Sequence, residues 1–353
     1  MPRAGRHKEA TMRYKLLGNS GLRVSEFCLG TMTFGEDWGW GASREQSRAI
    51  FDCFVEAGGN FIDTASNYTD GSSEQFVGEF IRGDRERLVV ATKYSLSTRR
   101  DDPNAGGNHR KNMVQSIERS LRRLGTEYID LLWLHMWDYF TPVEEVMRAF
   151  DDLVRAGKVL YAGFSDTPAW VIARADMLAT LRGWAPVTAV QLPYSLSTRD
   201  AERELLPMMR ALGMTVTAWD VLDGGILTGK YSRAGEEPRR YERVPDRTRA
   251  IAEVVVEIAG EIERPPAQLA IAWVRRTGNN IIPILGARSA EQMAQNLGAL
   301  DLELTCEQCD RLAEAAPIDI GFPHAFLTSD HVKTLIFGTT YPLVDVPATR
   351  PLP

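Results

Sequence analysis

Eight short apolar runs with helical patterns between them leave this chain few ways to fold. The runs are Ser25–Leu29, Asn60–Thr64, Leu88–Lys93, Ile129–His135, Leu160–Phe164, Ala189–Pro193, Met214–Trp219 and Asn280–Leu285. They are short and several are β-branched, which is the pattern of buried strands. The helical stretches are Arg44–Glu56, Asn112–Leu124, Val143–Ala156, Trp170–Leu181, Asp200–Leu212, Thr248–Ile262, Pro266–Thr277 and Ser289–Leu297. Ser43 is placed to cap the first, Thr141-Pro142 to start the third, and Gly125 and Gly157 to end the second and third. Strand alternating with helix dictates a parallel sheet. Eight such units are the count of a closed (β/α)8 TIM barrel. A doubly wound sheet is the rival, but no G-x-G-x-x-G turn follows any strand. A length of 353 residues also suits one large barrel.

The expected organisation is therefore one barrel over residues 12–316. Residues 1–11 read as a disordered extension. Tyr14–Val24 reads as a hairpin turning at Gly18-Asn19-Ser20-Gly21 and capping the barrel's base. Residues 223–247 read as a long loop after the seventh strand, and 317–353, rich in proline and aromatics, as a tail packed on the barrel.

Composition removes whole classes of function. A net charge of −6 with no basic stripe argues against nucleic acid. No stretch reaches the ~18 apolar residues of a membrane span, and the basic N-terminus has no apolar segment behind it. Cys28 and Cys53 lie in apolar contexts, and Cys306-x-x-Cys309 stands alone behind Thr305, a helix N-cap. That pair reads as a helix start rather than a metal or redox motif. The expectation is a reduced, cytoplasmic protein. The five histidines are scattered, so a metal-dependent hydrolase is disfavoured and no metal site is expected.

Barrels place chemistry at the C-terminal ends of their strands. Asp63 ends the second strand, Lys93 the third and His135 the fourth, and Tyr68 lies five residues beyond Asp63. Adjacent strands bring all four to one mouth. Lys93 would favour phenolate and lower the tyrosine pKa, Asp63 would hold Lys93 charged, and His135 would donate to a substrate oxygen. Such a cluster is a general acid aimed at a carbonyl oxygen. It lacks a hydride source.

Three segments resemble the aldo-keto reductases: Phe61-Ile62-Asp63-Thr64-Ala65-x-x-Tyr68 with Gly71-x-Ser73-Glu74; Val89-Val90-Ala91-Thr92-Lys93; and Leu121-x-x-Leu124-Gly125-x-x-Tyr128-Ile129-Asp130-Leu131-Leu132-x-Leu134-His135. The resemblance runs from about Tyr14 to Leu304 and implies an Asp63–Tyr68–Lys93–His135 tetrad with Tyr68 as proton donor. It also implies NADPH/NADP+ as cofactor. Leu285–Asn296 is similar to the family's adenosine-phosphate segment. There Gly286 admits a phosphate, Arg288 pairs with a 2′-phosphate, and Gln292, Gln295 and Asn296 belong to the adenine side. Trp219, Asp220, Val221, Leu222, Gly224 and Lys230 resemble the segment that stacks on nicotinamide and crosses the pyrophosphate. Ser165, Asp166 and Gln191 match the carboxamide contacts, and Gly30, Thr31 and Met32 the segment beneath the cofactor. Two residues depart from the pattern: Asp166 stands where the family has Asn, and Asp220 where it has Ser. An acid at 220 would repel a pyrophosphate unless aimed away.

Trp38, Trp40 and Trp137, with Met136 and Tyr139, read as walls for a flat or apolar carbonyl substrate. Arg99, Arg100 and His109, in the loop after the third strand, would meet an acidic substrate or solvent. The reading is NADPH-dependent reduction of an aldehyde or ketone. The alternative is a regulatory NADPH-binding module, since the resemblance extends to the potassium-channel β subunits. Substrate, direction and oligomeric state stay open.

Overall fold

The computed structural model describes residues 12–231, 241–277 and 280–345. Two antiparallel strands come first, β1 (Tyr14–Leu16) and β2 (Arg23–Ser25). The series then runs β3 (Cys28–Gly30), α1 (Arg44–Glu56), β4 (Phe61–Asp63), α2 (Ser72–Ile81), β5 (Val89–Tyr94), α3 (Arg110–Leu124), β6 (Ile129–Leu134) and α4 (Val143–Arg155). It continues with β7 (Val159–Ser165), α5 (Ala169–Arg182), β8 (Val187–Pro193), α6 (Leu205–Leu212) and β9 (Thr215–Trp219). Two helices, α7 (Asp246–Glu261) and α8 (Pro266–Arg276), precede β10 (Ile281–Leu285). After it come α9 (Ala290–Leu297), α10 (Cys306–Ala315), α11 (His324–Leu327) and α12 (Asp330–Phe337). Strands β3 to β10 pair in parallel and close on themselves, β10 against β3. The expected eight-stranded barrel is what the chain forms.

Every residue of β5 and β6 is buried, because helices cover one face and the lumen the other. Alternate residues point inward: Phe61 on β4, Val89 and Ala91 on β5, Leu131 and Trp133 on β6. The hairpin plugs the base with Leu17 and Val24. Its turn is tied to the strand starts there: Lys15 Nζ donates to the Ile281 carbonyl and the Gly18 N–H to Thr215 Oγ1. With the base sealed, the open end is where strands β4 to β6 finish.

One feature differs from the sequence reading: all eight helical stretches form, with α7 and α8 together in the last crossover as their positions imply, but helix α2 is an addition that was not expected. Helix α2 carries Gly78 at mid-length, which weakens its pattern. Here the glycine is a packing requirement: a Cβ would lie 2.6 Å from Leu124 Cα, on the α3 backbone. The caps behave as expected except at α4, where Pro142 itself takes the N-cap position and no side chain caps the helix, so Thr141 does not. Ser43 and Gln46 form a capping box, and Gly125 ends α3 in the left-handed region. Thr305 caps α10 through a box with Gln308, so Cys306 and Cys309 are the first turn of a helix, both unpaired.

Residues 1–11, part of the 223–247 loop and the end of the 317–353 tail beyond residue 345 lie outside the described residues. The start of that loop is a 3-10 turn, Asp223–Thr228. Along the tail, the Asp319 carbonyl accepts from Arg203 and His324 meets Glu204. Beyond those contacts α12 leaves Leu335 and Ile336 exposed. Among the described residues, no helix is long and apolar enough to cross a membrane, and no group of His, Cys, Asp or Glu could hold a metal ion.

Candidate active site

Strand register assembles the centre of the site. Gly30 pairs with Asp63, Asp63 with Ala91, and Lys93 with Trp133. Asp63 and Lys93 therefore face one lumen from neighbouring strands, at their C-terminal ends. Tyr68 arrives from the next turn, Tyr68–Gly71, in which Thr69 and Asp70 take positive φ of 44° and 54°. Such backbone is costly without support. The support is a set of side-chain hydrogen bonds. Thr69 Oγ1 donates to the Phe34 carbonyl at 2.6 Å, and Arg123 donates to the Ser66 carbonyl at 2.8 Å and to Glu74 at 3.1 Å. Glu74 is itself fully buried and accepts from Thr92.

The Lys93 ammonium has three N–H groups and finds three acceptors: Asp63 Oδ2 at 2.5 Å, the Thr64 carbonyl at 2.9 Å and the Tyr68 hydroxyl at 2.9 Å. Because Tyr68 accepts from lysine, its own O–H is directed elsewhere. Among the described residues it donates to none. Burial opposes charge on Lys93, yet Asp63 and Tyr68 together raise its pKa well above the ordinary value. His135 stands edge-on to Tyr68, ring centres 6.1 Å apart. Burial, with Lys93 adding to it, lowers the imidazole to about 3, so it is neutral.

One expectation is corrected here. The ammonium was expected to lower the Tyr68 pKa. Burial raises it instead, and the Asp63 charge adds to burial, so the two outweigh Lys93. Tyr68 is a protonated phenol across the neutral range.

The other candidate residues divide between the mouth and the fold. Trp38 lies edge-on to Tyr68 at 6.4 Å, and Trp40 packs on Trp38 at 5.7 Å. The Trp137 backbone N–H donates to the Asp166 carbonyl. Thr31 is buried, its hydroxyl on the Asp63 carbonyl, and a Cβ on Gly30 would strike Ile284, so both knit strands together. Met32 is half-buried beside them. Ser165 is buried at the end of β7. Asp166 follows with φ 38°, its carboxylate accepting from the Trp219 indole at 3.3 Å. Burial raises its pKa. Gln191 donates to Asp63 Oδ1 at 3.1 Å. Val221 is buried and Leu222 packs on the core. Asp220 is turned into its own loop, where Oδ1 accepts the Gly224 N–H at 2.8 Å. Lys230 stands over the Tyr231 ring.

At the end of β10, Gly286 is exposed and the space where its Cβ would sit is empty. Ser289 caps α9 through the Gln292 N–H, and Gln292 Oε1 accepts from the Arg288 N–H. The Arg288 guanidinium is exposed and has no acid partner among the described residues. Asn296 is buried, bonded to the Gly286 carbonyl, and Gln295 is exposed. A bare backbone, a free guanidinium and a helix N-terminus form a donor set that fits an anionic nucleotide.

Residues 26–317 match the model of the aldo/keto reductase family. The chain belongs to that family. A norsolorinic acid reductase of Emericella nidulans is 39% identical over 318 residues, 87% of this chain and 82% of that protein. An aryl-alcohol dehydrogenase of Pestalotiopsis microspora is 37% identical over 89% of this chain and 85% of its own length. An NADP(+) aryl-alcohol dehydrogenase of Phanerodontia chrysosporium is 37% identical over 91% and 88% respectively. This aldo/keto reductase is accordingly an oxidoreductase of carbonyl and alcohol groups, in a family that uses nicotinamide cofactors.

Sequence reasoning missed part of the site. Arg123 and Glu74 hold up the tyrosine turn, and Trp133 bonds Asp63. Trp133 shares strand parity with His135, two residues on, and that alternation is the signal that places it in the lumen. Of the long-loop residues expected to meet an acidic substrate or solvent, His109 caps α3 by accepting the Asn112 N–H, and Arg99 is exposed and pairs with Asp102.

Proposed function

We propose that this aldo/keto reductase interconverts an aromatic aldehyde or ketone and its alcohol with NADPH/NADP+, and that Tyr68 is the proton donor. The observation that carries this is the Lys93 ammonium bonded to Asp63 and Tyr68 at once, which leaves the tyrosine proton free at the mouth. NADPH, when bound, supplies the hydride. Arg288, Gly286, Gln292, Gln295 and Asn296 would hold its adenosine phosphate end, and Trp219, Ser165, Asp166 and Gln191 its nicotinamide end. Asp220 does not oppose this, since its carboxylate is spent on its own turn.

In this reading the substrate oxygen takes a hydrogen bond from Tyr68 and a second from neutral His135. As negative charge grows on that oxygen, Tyr68 gives up its proton, and the adjacent ammonium stabilises the phenolate left behind. Asp63 keeps Lys93 charged without touching substrate. Trp38 and Trp40 present aromatic faces beside Tyr68, which suits a ring-bearing carbonyl. The names of the similar proteins, which act on aryl alcohols or norsolorinic acid, point the same way. The assembled tetrad, with Asp63, Lys93 and His135 buried and Tyr68 half-buried at the mouth, favours turnover over a purely regulatory role.

The test is cofactor oxidation over a panel of aromatic and aliphatic aldehydes. Tyr68→Phe should lose about 100-fold or more in kcat, the range for removing a general acid, with NADPH binding kept. Aromatic aldehydes should rank first. The acid works only while protonated, so reduction should hold steady through neutral pH. It should fall only above the ordinary phenol value of about 10, because burial raises Tyr68. Turnover that survives in Tyr68→Phe overturns the assignment.

A further inference from the structure

We propose that Trp133 is a positioning residue for the Asp63–Lys93–Tyr68 relay, acting through the hydrogen bond from its indole N–H to the Asp63 carboxylate. The proposal rests on Tyr68 being the proton donor. Trp133 Nε1 lies 2.9 Å from Asp63 Oδ1, and Gln191 reaches the same oxygen at 3.1 Å. The other oxygen, Oδ2, is left to Lys93. All four side chains are almost entirely buried.

The indole is fixed in place by the barrel. Register sets Trp133 between Lys93 on β5 and Gly163 on β7. A Cβ on Gly163 would lie 2.4 Å from the indole ring, so only glycine lets the ring lie over that strand. From there the N–H crosses the lumen to Asp63 on β4. Trp133 is fully buried beneath the mouth and acts through Asp63 alone.

The bond does two things. It fixes the rotation of the carboxylate, so that Oδ2 aims at Lys93 and Lys93 stays on Tyr68. It also engages part of the negative charge that Tyr68 would otherwise feel. Loss of the N–H leaves Oδ1 to Gln191 alone, which loosens the carboxylate's aim at Lys93 and exposes more of its charge to the phenol. Both effects make the Tyr68 phenolate harder to form.

Two proteins test this: Trp133→Phe, and one with benzothienylalanine at position 133, which keeps the ring shape and replaces only the N–H by sulfur. Tyr68 ionisation is read in the near ultraviolet as the difference from each protein's Tyr68→Phe counterpart. The pH profile of aryl-alcohol oxidation with NADP+ is measured beside it. The expected result is an upward shift of both by about half a pH unit or more, an approximately threefold loss of oxidation at fixed pH below the limb. KM and NADPH affinity should stay within about twofold, because Trp133 is fully buried beneath the mouth. An unshifted ionisation in the benzothienylalanine protein overturns the proposal. So does a loss spread over KM and binding with no shift, which is the mark of packing alone. If Trp133→Phe does not fold, the isosteric protein decides. Survival of turnover in Tyr68→Phe would instead defeat the reading of Tyr68, while the ionisation measurement would still judge Trp133.

Discussion

The two sides of the barrel mouth are built on opposite plans. On the β4–β6 side, Asp63, Lys93 and Trp133 are buried, and every N–H of the ammonium has an acceptor. On the β10–α9 side, Arg288 and Gln292 lie in water, with the guanidinium unpaired among the described residues and the space at Gly286 open. A group that shifts charge in a reaction gains from being organised beforehand, in a site where water cannot reorganise around it. A group that captures a soluble anion gains from staying hydrated and reachable until the anion arrives. The first plan makes function and stability inseparable. The second keeps them apart.

The contrast breaks most visibly at Lys93. Replacement by Met removes the cation bonded to the buried Asp63 carboxylate and leaves that charge without a counter-ion among the described residues. Breaking a buried pair in this way costs about 3–5 kcal/mol. Lys93→Met should therefore lower the free energy of denaturant unfolding by that amount as well as abolish turnover. The double variant Asp63→Asn/Lys93→Met should regain most of the stability and none of the activity. A single variant as stable as the parent would mean that the ion pair is not what organises this side.

The same contrast explains what could be read from the residues alone. Strand and helix alternation carried the barrel, because its periodicity follows from burial, and chemistry at strand ends follows from the fold. The tetrad was legible because its polar residues stand out at the ends of apolar runs. Helix α2 was not, since Gly78 depresses helical propensity for a packing reason that only the α3 backbone reveals. Trp133 was hidden for the converse reason: a tryptophan in an apolar strand looks like core, and its hydrogen bond spans 70 residues. The sign of the Tyr68 shift was also out of reach. It depends on how far burial exceeds the field of Lys93, and residue identity does not supply burial.

On the exposed side, Arg288→Ala should act on binding alone. A hydrogen bond to a charged group contributes about 1.5–3 kcal/mol, so the NADPH dissociation constant should rise roughly tenfold or more. NADH binding should stay unchanged, and stability should move by no more than about 0.5 kcal/mol. Calorimetric titration with both nucleotides, beside a denaturant curve, measures all three. Equal losses for NADPH and NADH would remove Arg288 from the 2′-phosphate and leave it a general anion contact.

Asp220 lies between the two plans and should show the smallest effect. It is an acid on a loop proposed to cross a pyrophosphate, and charge alone predicts that its removal strengthens binding. The geometry opposes this. Its backbone is left-handed at φ 55° and its Oδ1 accepts the Gly224 N–H, so the carboxylate serves the turn. Asparagine tolerates the same backbone and offers the same acceptor without the charge. Asp220→Asn should thus preserve the turn and change NADPH affinity by less than about threefold, the effect of one screened charge near water. Asp220→Ala, which deletes the acceptor and strains the backbone, should weaken NADPH binding more than Asp220→Asn does. If Asp220→Asn instead binds NADPH tenfold or more tightly, the carboxylate faces the phosphates, and the turn is a trade between loop order and cofactor affinity.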